Sequence, residues 1–73
     1  MSIENKVKIY RAKHNLTQAD LAKKVNVTRQ TIISLEKGSY IPSLELAMNL
    51  AQVFEVNIES LFYKREELQW KKQ

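Results

Sequence analysis

The chain is expected to fold as an all-α domain, a compact set of five short helices followed by a short charged tail. Three observations carry this expectation. Gly and Pro occur once each among 73 residues, too few for the many tight turns of a sheet protein. Apolar residues recur at spacings of three and four along most of the chain. Thr17, Thr28, Ser43 and Asn57 each stand just ahead of such a stretch, where a short polar side chain can accept from a free backbone N–H at a helix start.

The first helix is predicted from about Glu4 to His14. Ile3, Val7 and Tyr10 share one face, and Lys6, Lys8 and Lys13 mostly point outward. Asn15 stops it, because Asn tolerates the left-handed backbone of a C-terminal cap. The second helix opens at Thr17 and ends near Lys24 or Val25. Asp20, three residues after Thr17, completes a pattern like a capping box, and Leu21, Ala22 and Val25 supply the inner face. Asn26 sits where a tight turn is needed. Thr28 caps a third helix that runs to about Glu36 with Ile32 and Leu35 inward. Lys37-Gly38 ends it, Gly38 being free of the Cβ penalty at positive φ.

Tyr40-Ile41-Pro42-Ser43 reads as a loop carrying the next cap. The fourth helix, about Leu44 to Phe54, has an inner stripe of Leu44, Ala47, Leu50, Ala51 and Phe54. Leu46, Met48 and Val53 widen that stripe, which predicts a central helix. Asn57 caps a last short helix holding Ile58, Leu61 and Phe62. The expected domain is therefore residues 1–63. A charged tail, 64–73, follows, with Leu68 and Trp70 as isolated apolar residues.

Composition narrows the chemistry. With no Cys, disulfides and thiolate metal sites are excluded, and His14 is the single His. No cofactor or metal is expected. No apolar run approaches the length of a membrane span, and the N-terminus lacks a signal-like segment. A cytoplasmic protein is the expectation. Glu66-Glu67 adjoin on a tail without a pocket, Ser34, Ser39 and Ser60 have no His in a triad-like arrangement, and there is no Gly-rich phosphate loop. These features argue against an enzyme. Charge is uneven. Residues 1–37 hold eight bases and three acids, residues 38–63 three acids and no base, and residues 64–73 four bases and two acids. The first half is suited to a polyanion.

The most informative constellation is Thr17–Lys24 and Thr28–Glu36 joined by a turn of about three residues. For two helices to cross steeply, the first needs a small residue at the crossing, which Ala22 supplies. The turn needs a residue tolerant of positive φ, which Asn26 supplies. Val27 then fills the angle. This geometry lets one helix protrude into a major groove while its neighbour braces the backbone.

The run Gln18-x-x-Leu21-Ala22-x-x-x-Asn26-Val27-Thr28-x-x-x-Ile32-x-x-Leu35-Glu36-x-Gly38 resembles the helix-turn-helix of the Cro and CI phage repressor family, also called the xenobiotic-response-element family. Tyr40-x-Pro42-Ser43-Leu44-x-Leu46-Ala47 resembles the start of its fourth helix. The likeness covers roughly residues 4–63 and is strong toward small standalone bacterial repressors of the cytolysin-repressor kind. Asn26 departs from the usual Gly, and Ile33 puts an apolar residue on a face that is often polar.

The resemblance implies a lambda-repressor-like domain that binds double-stranded DNA. It implies that Gln18 bonds a phosphate and braces the exposed helix, and that Thr17 and Thr28 are phosphate-contacting caps. Arg29, Gln30 and Ser34 would meet base edges, with Thr31 and Ile33 near them. Lys37, Gly38 and Ser39 would lie on the opposite phosphate backbone. Arg11 and Glu36 would form a partly buried ion bridge. The residue chemistry agrees. Arg29 can donate twice to guanine and Gln30 can both donate to and accept from adenine, each pair discriminating by roughly 1–3 kcal/mol. Lys8 and Lys37 offer salt-sensitive phosphate contacts. Ile33 has three readings, a thymine-methyl contact, a patch for a partner, or a partly covered core residue. Outside such a motif Arg29 and Gln30 would read as ordinary solvated residues of a first helical turn; within it the base-contact reading is the preferred one.

Two functions follow. The first is a sequence-specific transcription regulator, a repressor working as a homodimer on a pseudo-palindromic operator. Its seam would draw on Phe54, Val56, Ile58, Leu61, Phe62 and Tyr63. The second is an antitoxin or similar module that binds DNA and a protein partner, the tail with Trp70 being the partner-binding segment.

Overall fold

Backbone that the periodicity assigns to the start of a helix is extended instead. In the computed structural model, which describes residues 3–65, Ile3–Asn5 form a strand, β1, and the first helix, α1, is Val7–Lys13. Then come α2 (Gln18–Lys24), α3 (Arg29–Lys37), α4 (Leu44–Phe54) and α5 (Ile58–Leu61), and a second strand, β2 (Phe62–Lys64). The strands pair antiparallel, with Ile3 opposite Lys64, Glu4 opposite Tyr63 and Asn5 opposite Phe62. Residue 64, expected to open the tail, therefore lies within the domain. Leu68 and Trp70 fall outside the described residues. Ile3 does share helical spacing with Val7 and Tyr10, but its partner is some sixty residues away, and local periodicity carries no information about such a pairing. Asn5 also marks the true helix start, because its Oδ1 accepts the Val7 N–H at 3.1 Å, an Asx turn.

The core draws a fully buried side chain from every helix: Val7, Leu21, Ile32, Leu35, Leu50 and Leu61. Each such burial contributes about 1.5–3 kcal/mol. Phe54, also buried, stacks against Tyr10 at 5.8 Å and His14 at 5.2 Å between ring centroids. The stripe of α4 is narrower than its composition suggests. Leu46, Ala47, Leu50, Ala51 and Phe54 are buried, whereas Leu44 is 71% exposed and Met48 54% exposed. Leu44 and Met48 sit one turn apart on the helix flank, so being apolar does not bring them inward. Among the described residues no helix is long and apolar enough to cross a membrane.

Helix starts follow the caps with one exception. Thr17, Thr28 and Ser43 accept from the N–H three residues on. Asn57 adopts the cap backbone but makes no side-chain cap bond. The short Asp20 still completes its half of the capping box, with Thr17 N–H donating to Asp20 Oδ2 at 3.0 Å and Asp20 N–H to Thr17 Oγ1 at 2.9 Å. The Thr17 N–H, and after it the Thr17 hydroxyl, hold the Asp20 carboxyl below its usual range. The charged form is thus favoured in the folded state. Its contribution is full above the unfolded-state pKa and is lost as pH falls through the lower folded value. The Asp20 titration followed by NMR should show that low midpoint, and Asp20→Asn should remove this acid-side dependence of stability.

The four longer helices end alike. A left-handed residue stands at Asn15, Asn26, Gly38 and Glu55 (φ 57°, 59°, 82° and 58°). The next N–H then reaches back to the carbonyl five residues earlier, pairing Leu16 with Arg11, Val27 with Ala22, Ser39 with Ser34, and Val56 with Ala51, all at 3.0–3.1 Å. The left-handed residue's own N–H bonds the carbonyl three residues back at 3.0–3.3 Å, and the two bonds together satisfy carbonyls that a helix end leaves free. Glu55 is the unforeseen member, since nothing about a Glu signals positive φ.

Candidate nucleic-acid interface

The arrangement of α2 and α3 begins with the turn between them. Ala22 is buried on α2, so the turn can pass close. Asn26 takes the left-handed backbone, and Val27, half-buried, packs on the core from within the angle. Thr28 restarts the chain as helix, its Oγ1 accepting the Thr31 N–H at 3.2 Å and lying 3.0 Å from the Thr31 hydroxyl.

With Ile32 and Leu35 buried, helical geometry turns the opposite face of α3 outward. Arg29, Gln30 and Lys37 are exposed, and Thr31, Ile33 and Ser34 are half-exposed. Gln30 Nε2 lies 3.4 Å from Ser34 Oγ, a long contact that leaves both free to rearrange. Ile33 is partly covered by its own fold, one of its three readings.

Behind this face lies a polar clamp. Arg11 Nε donates to Glu36 Oε2 at 2.6 Å and Arg11 Nη2 to Glu36 Oε1 at 3.2 Å, while Gln18 Nε2 donates to the same Oε1 at 3.1 Å. Arg11 Nη1 also bonds the Leu16 carbonyl at 2.9 Å. The two charged side chains are only 16% and 5% exposed. This bidentate arrangement ties α1, α2 and α3 together.

A shallow groove beside the clamp is lined by Lys8, Asn15, Thr17, Gln18 and Arg29. Cationic and hydrogen-bonding groups from three helices thus face one channel. At the other end of α3, Lys37 and Gly38 border a hollow with Glu4 and Asn5, and Ser39 Oγ bonds the Ser34 carbonyl at 3.2 Å. The expected contact residues thus fall into two groups, one in the groove at the start of α3 and one at its end.

The residues expected at a seam divide. Phe54 and Leu61 are enclosed in the protomer's own core, at 3% and 0% exposure, Phe54 against the Tyr10 and His14 rings and Leu61 within the cluster shared by the helices. Val56, Ile58 and Phe62 are half-buried against that core. Tyr63 is exposed, with Lys6 Nζ 5.6 Å from its ring centroid. Sequence reasoning missed other apolar surface, chiefly Ile41 and Ile9. It also missed Asn5. The signal available for Asn5 was an Asn two residues before an apolar helical run, the position of an Asx turn.

The model of the family described as Helix-turn-helix matches residues 7–61. An uncharacterized helix-turn-helix-type transcriptional regulator of Methanocaldococcus jannaschii is 62% identical over 60 residues, covering 82% of this chain and 91% of that protein. One from Archaeoglobus fulgidus is 50% identical, covering 96% of this chain and 99% of its own length. Among solved structures, the SOS-response transcriptional repressor LexA of Eubacterium rectale superposes with a TM-score of 0.73 at 32% identity, over 86% of this chain and 66% of that one.

Proposed function

From the premise that this chain belongs to the helix-turn-helix family of the Cro/CI type, we propose that it is a sequence-specific DNA-binding transcription regulator, acting as a repressor, with α3 as its recognition helix. It is not an enzyme. The single observation that carries the reading is the outward face of α3. Arg29, Gln30 and Ser34 stand on a helix whose opposite face is wholly buried and whose end is clamped. Side chains that can read base edges are thereby held on a rigid support.

Arg29 and Gln30 meet base edges, Ser34 and Thr31 lie beside them, and Ile33 offers its exposed part to a thymine methyl. Lys8, Thr17, Gln18 and Thr28 take phosphates on one side of the groove, and Lys37, Gly38 and Ser39 on the other. One such helix reads only a few base pairs. A homodimer would set two of them about 34 Å apart, matching a pseudo-palindromic site. Val56, Ile58, Phe62 and Tyr63 supply the apolar surface for its seam. Phe54 and Leu61 support them from within.

Selection of bound duplexes from a random pool tests this reading. An enriched two-fold site with half-sites one helical turn apart is expected. Lys37→Ala should then weaken every duplex alike and reduce the salt slope by about one. A pool that yields no preferred sequence rejects the regulator reading. A single unrepeated half-site, together with a monomer in sedimentation, rejects the dimer.

A further inference from the structure

The last turn of α3 is held from two directions. On one side is the Glu36 clamp. On the other, Asn5 Nδ2 donates to the Leu35 carbonyl at 2.9 Å, across thirty residues of sequence. That carbonyl lies in the final turn, where no regular i+4 helical N–H follows; it takes the Gly38 N–H at 3.0 Å, and Asn5 fills its second lone pair. The same carboxamide accepts the Val7 N–H at 3.1 Å through Oδ1. Asn5 is also paired with Phe62 in the sheet, and the next N–H, of Lys6, bonds the Leu61 carbonyl at 2.9 Å. One residue therefore meets the start of α1, the end of α3, and the strand that follows α5. The orientation of its amide is dictated by these partners, since Val7 needs an acceptor and Leu35 a donor.

We propose that Asn5 is a positioning residue for DNA recognition, fixing the C-terminal turn of α3, and with it Ser34 and Lys37, at the angle from which they meet a duplex. The inference rests on the regulator reading above. Its chemistry requires a side chain that donates and accepts at once with a single methylene of reach. Asp and Ser retain an acceptor for the Val7 N–H, but Asp has no donor toward Leu35 when ionised and Ser is too short to reach it. Asn5→Asp and Asn5→Ser therefore separate helix capping from the hold on α3, and either one serves if the other does not fold.

The full-length chain and both variants should be compared on the duplex selected by the wild type and on a scrambled duplex, with amide exchange measured in parallel. The selected-to-scrambled affinity ratio is expected to fall about three- to tenfold, the scale of one lost hydrogen bond, while scrambled-duplex affinity falls by less, through the shifted Lys37 and, in Asn5→Asp, the added negative charge beside it. Exchange at Gly38 and Ser39 should quicken while the amides of α1 keep their protection. An unchanged ratio with unchanged exchange in α3 overturns the proposal. So does a loss of protection centred on α1, which would make Asn5 a cap alone. If the wild type itself shows no preference between duplexes, the regulator reading has failed, and the exchange measurement still reports separately whether Asn5 holds α3.

Discussion

Arg11→Met is expected to destabilise the domain by about 3–5 kcal/mol, the usual cost of stranding one partner of a buried ion pair. Glu36 has a side chain only 5% exposed, and without the guanidinium its carboxylate keeps a single donor, Gln18 Nε2 at 3.1 Å. The Leu16 carbonyl loses its bond to Nη1 at the same time. Native domains are stable by only about 5–15 kcal/mol, and one this small stands near the lower end, so the variant should be largely unfolded on mild warming. Urea unfolding followed by circular dichroism measures the loss. A loss below about 1 kcal/mol would place the pair among ordinary surface bridges and refute its role as the clamp behind α3. Adding Glu36→Leu to Arg11→Met should recover part of the loss, because an apolar pair leaves no buried charge unmatched.

Arg29→Ala is expected to act oppositely, leaving the fold intact and weakening sequence preference. Arg29 is exposed and its side chain makes no hydrogen bond to other described residues, so stability should move by no more than about 0.5 kcal/mol. Its loss should lower affinity for the selected duplex by about 1–3 kcal/mol, roughly five- to 150-fold, and affinity for a scrambled duplex far less. Gln30→Ala should behave the same way at a neighbouring base pair. Competition binding of the two duplexes separates this from a contact to phosphate. Equal weakening on both would show that Arg29 grips the backbone and does not read bases.

What could be read in advance was local. The starts of α2, α3 and α4 followed from Thr17, Thr28 and Ser43, whose hydroxyls satisfy N–H groups within three residues. The stops at Asn15, Asn26 and Gly38 followed from backbone tolerance of positive φ. The exposed face of α3 followed from the spacing of Ile32 and Leu35. What could not be read depended on distant partners. The pairing of Ile3–Asn5 with Phe62–Lys64 lies beyond any helical window. The exposure of Leu44 and Met48 depends on which flank of α4 the rest of the fold covers. The enclosure of Phe54 and Leu61 comes from the Tyr10 and His14 rings and core side chains elsewhere in the chain. For Asn5 only the local half was legible, an Asx turn onto Val7; its donor bond to Leu35 lies thirty residues away and leaves no trace in the sequence.

The repeated helix ending has a consequence for how such domains diversify. The instructions for stopping and redirecting the chain are written in main-chain bonds at Leu16, Val27, Ser39 and Val56, and none of them uses the side chains of Arg29, Gln30 or Ser34. Exchanging those surface residues therefore leaves every corner of the frame intact. On the proposed reading of α3, new duplex preferences can then arise by a few substitutions without first solving the folding problem again.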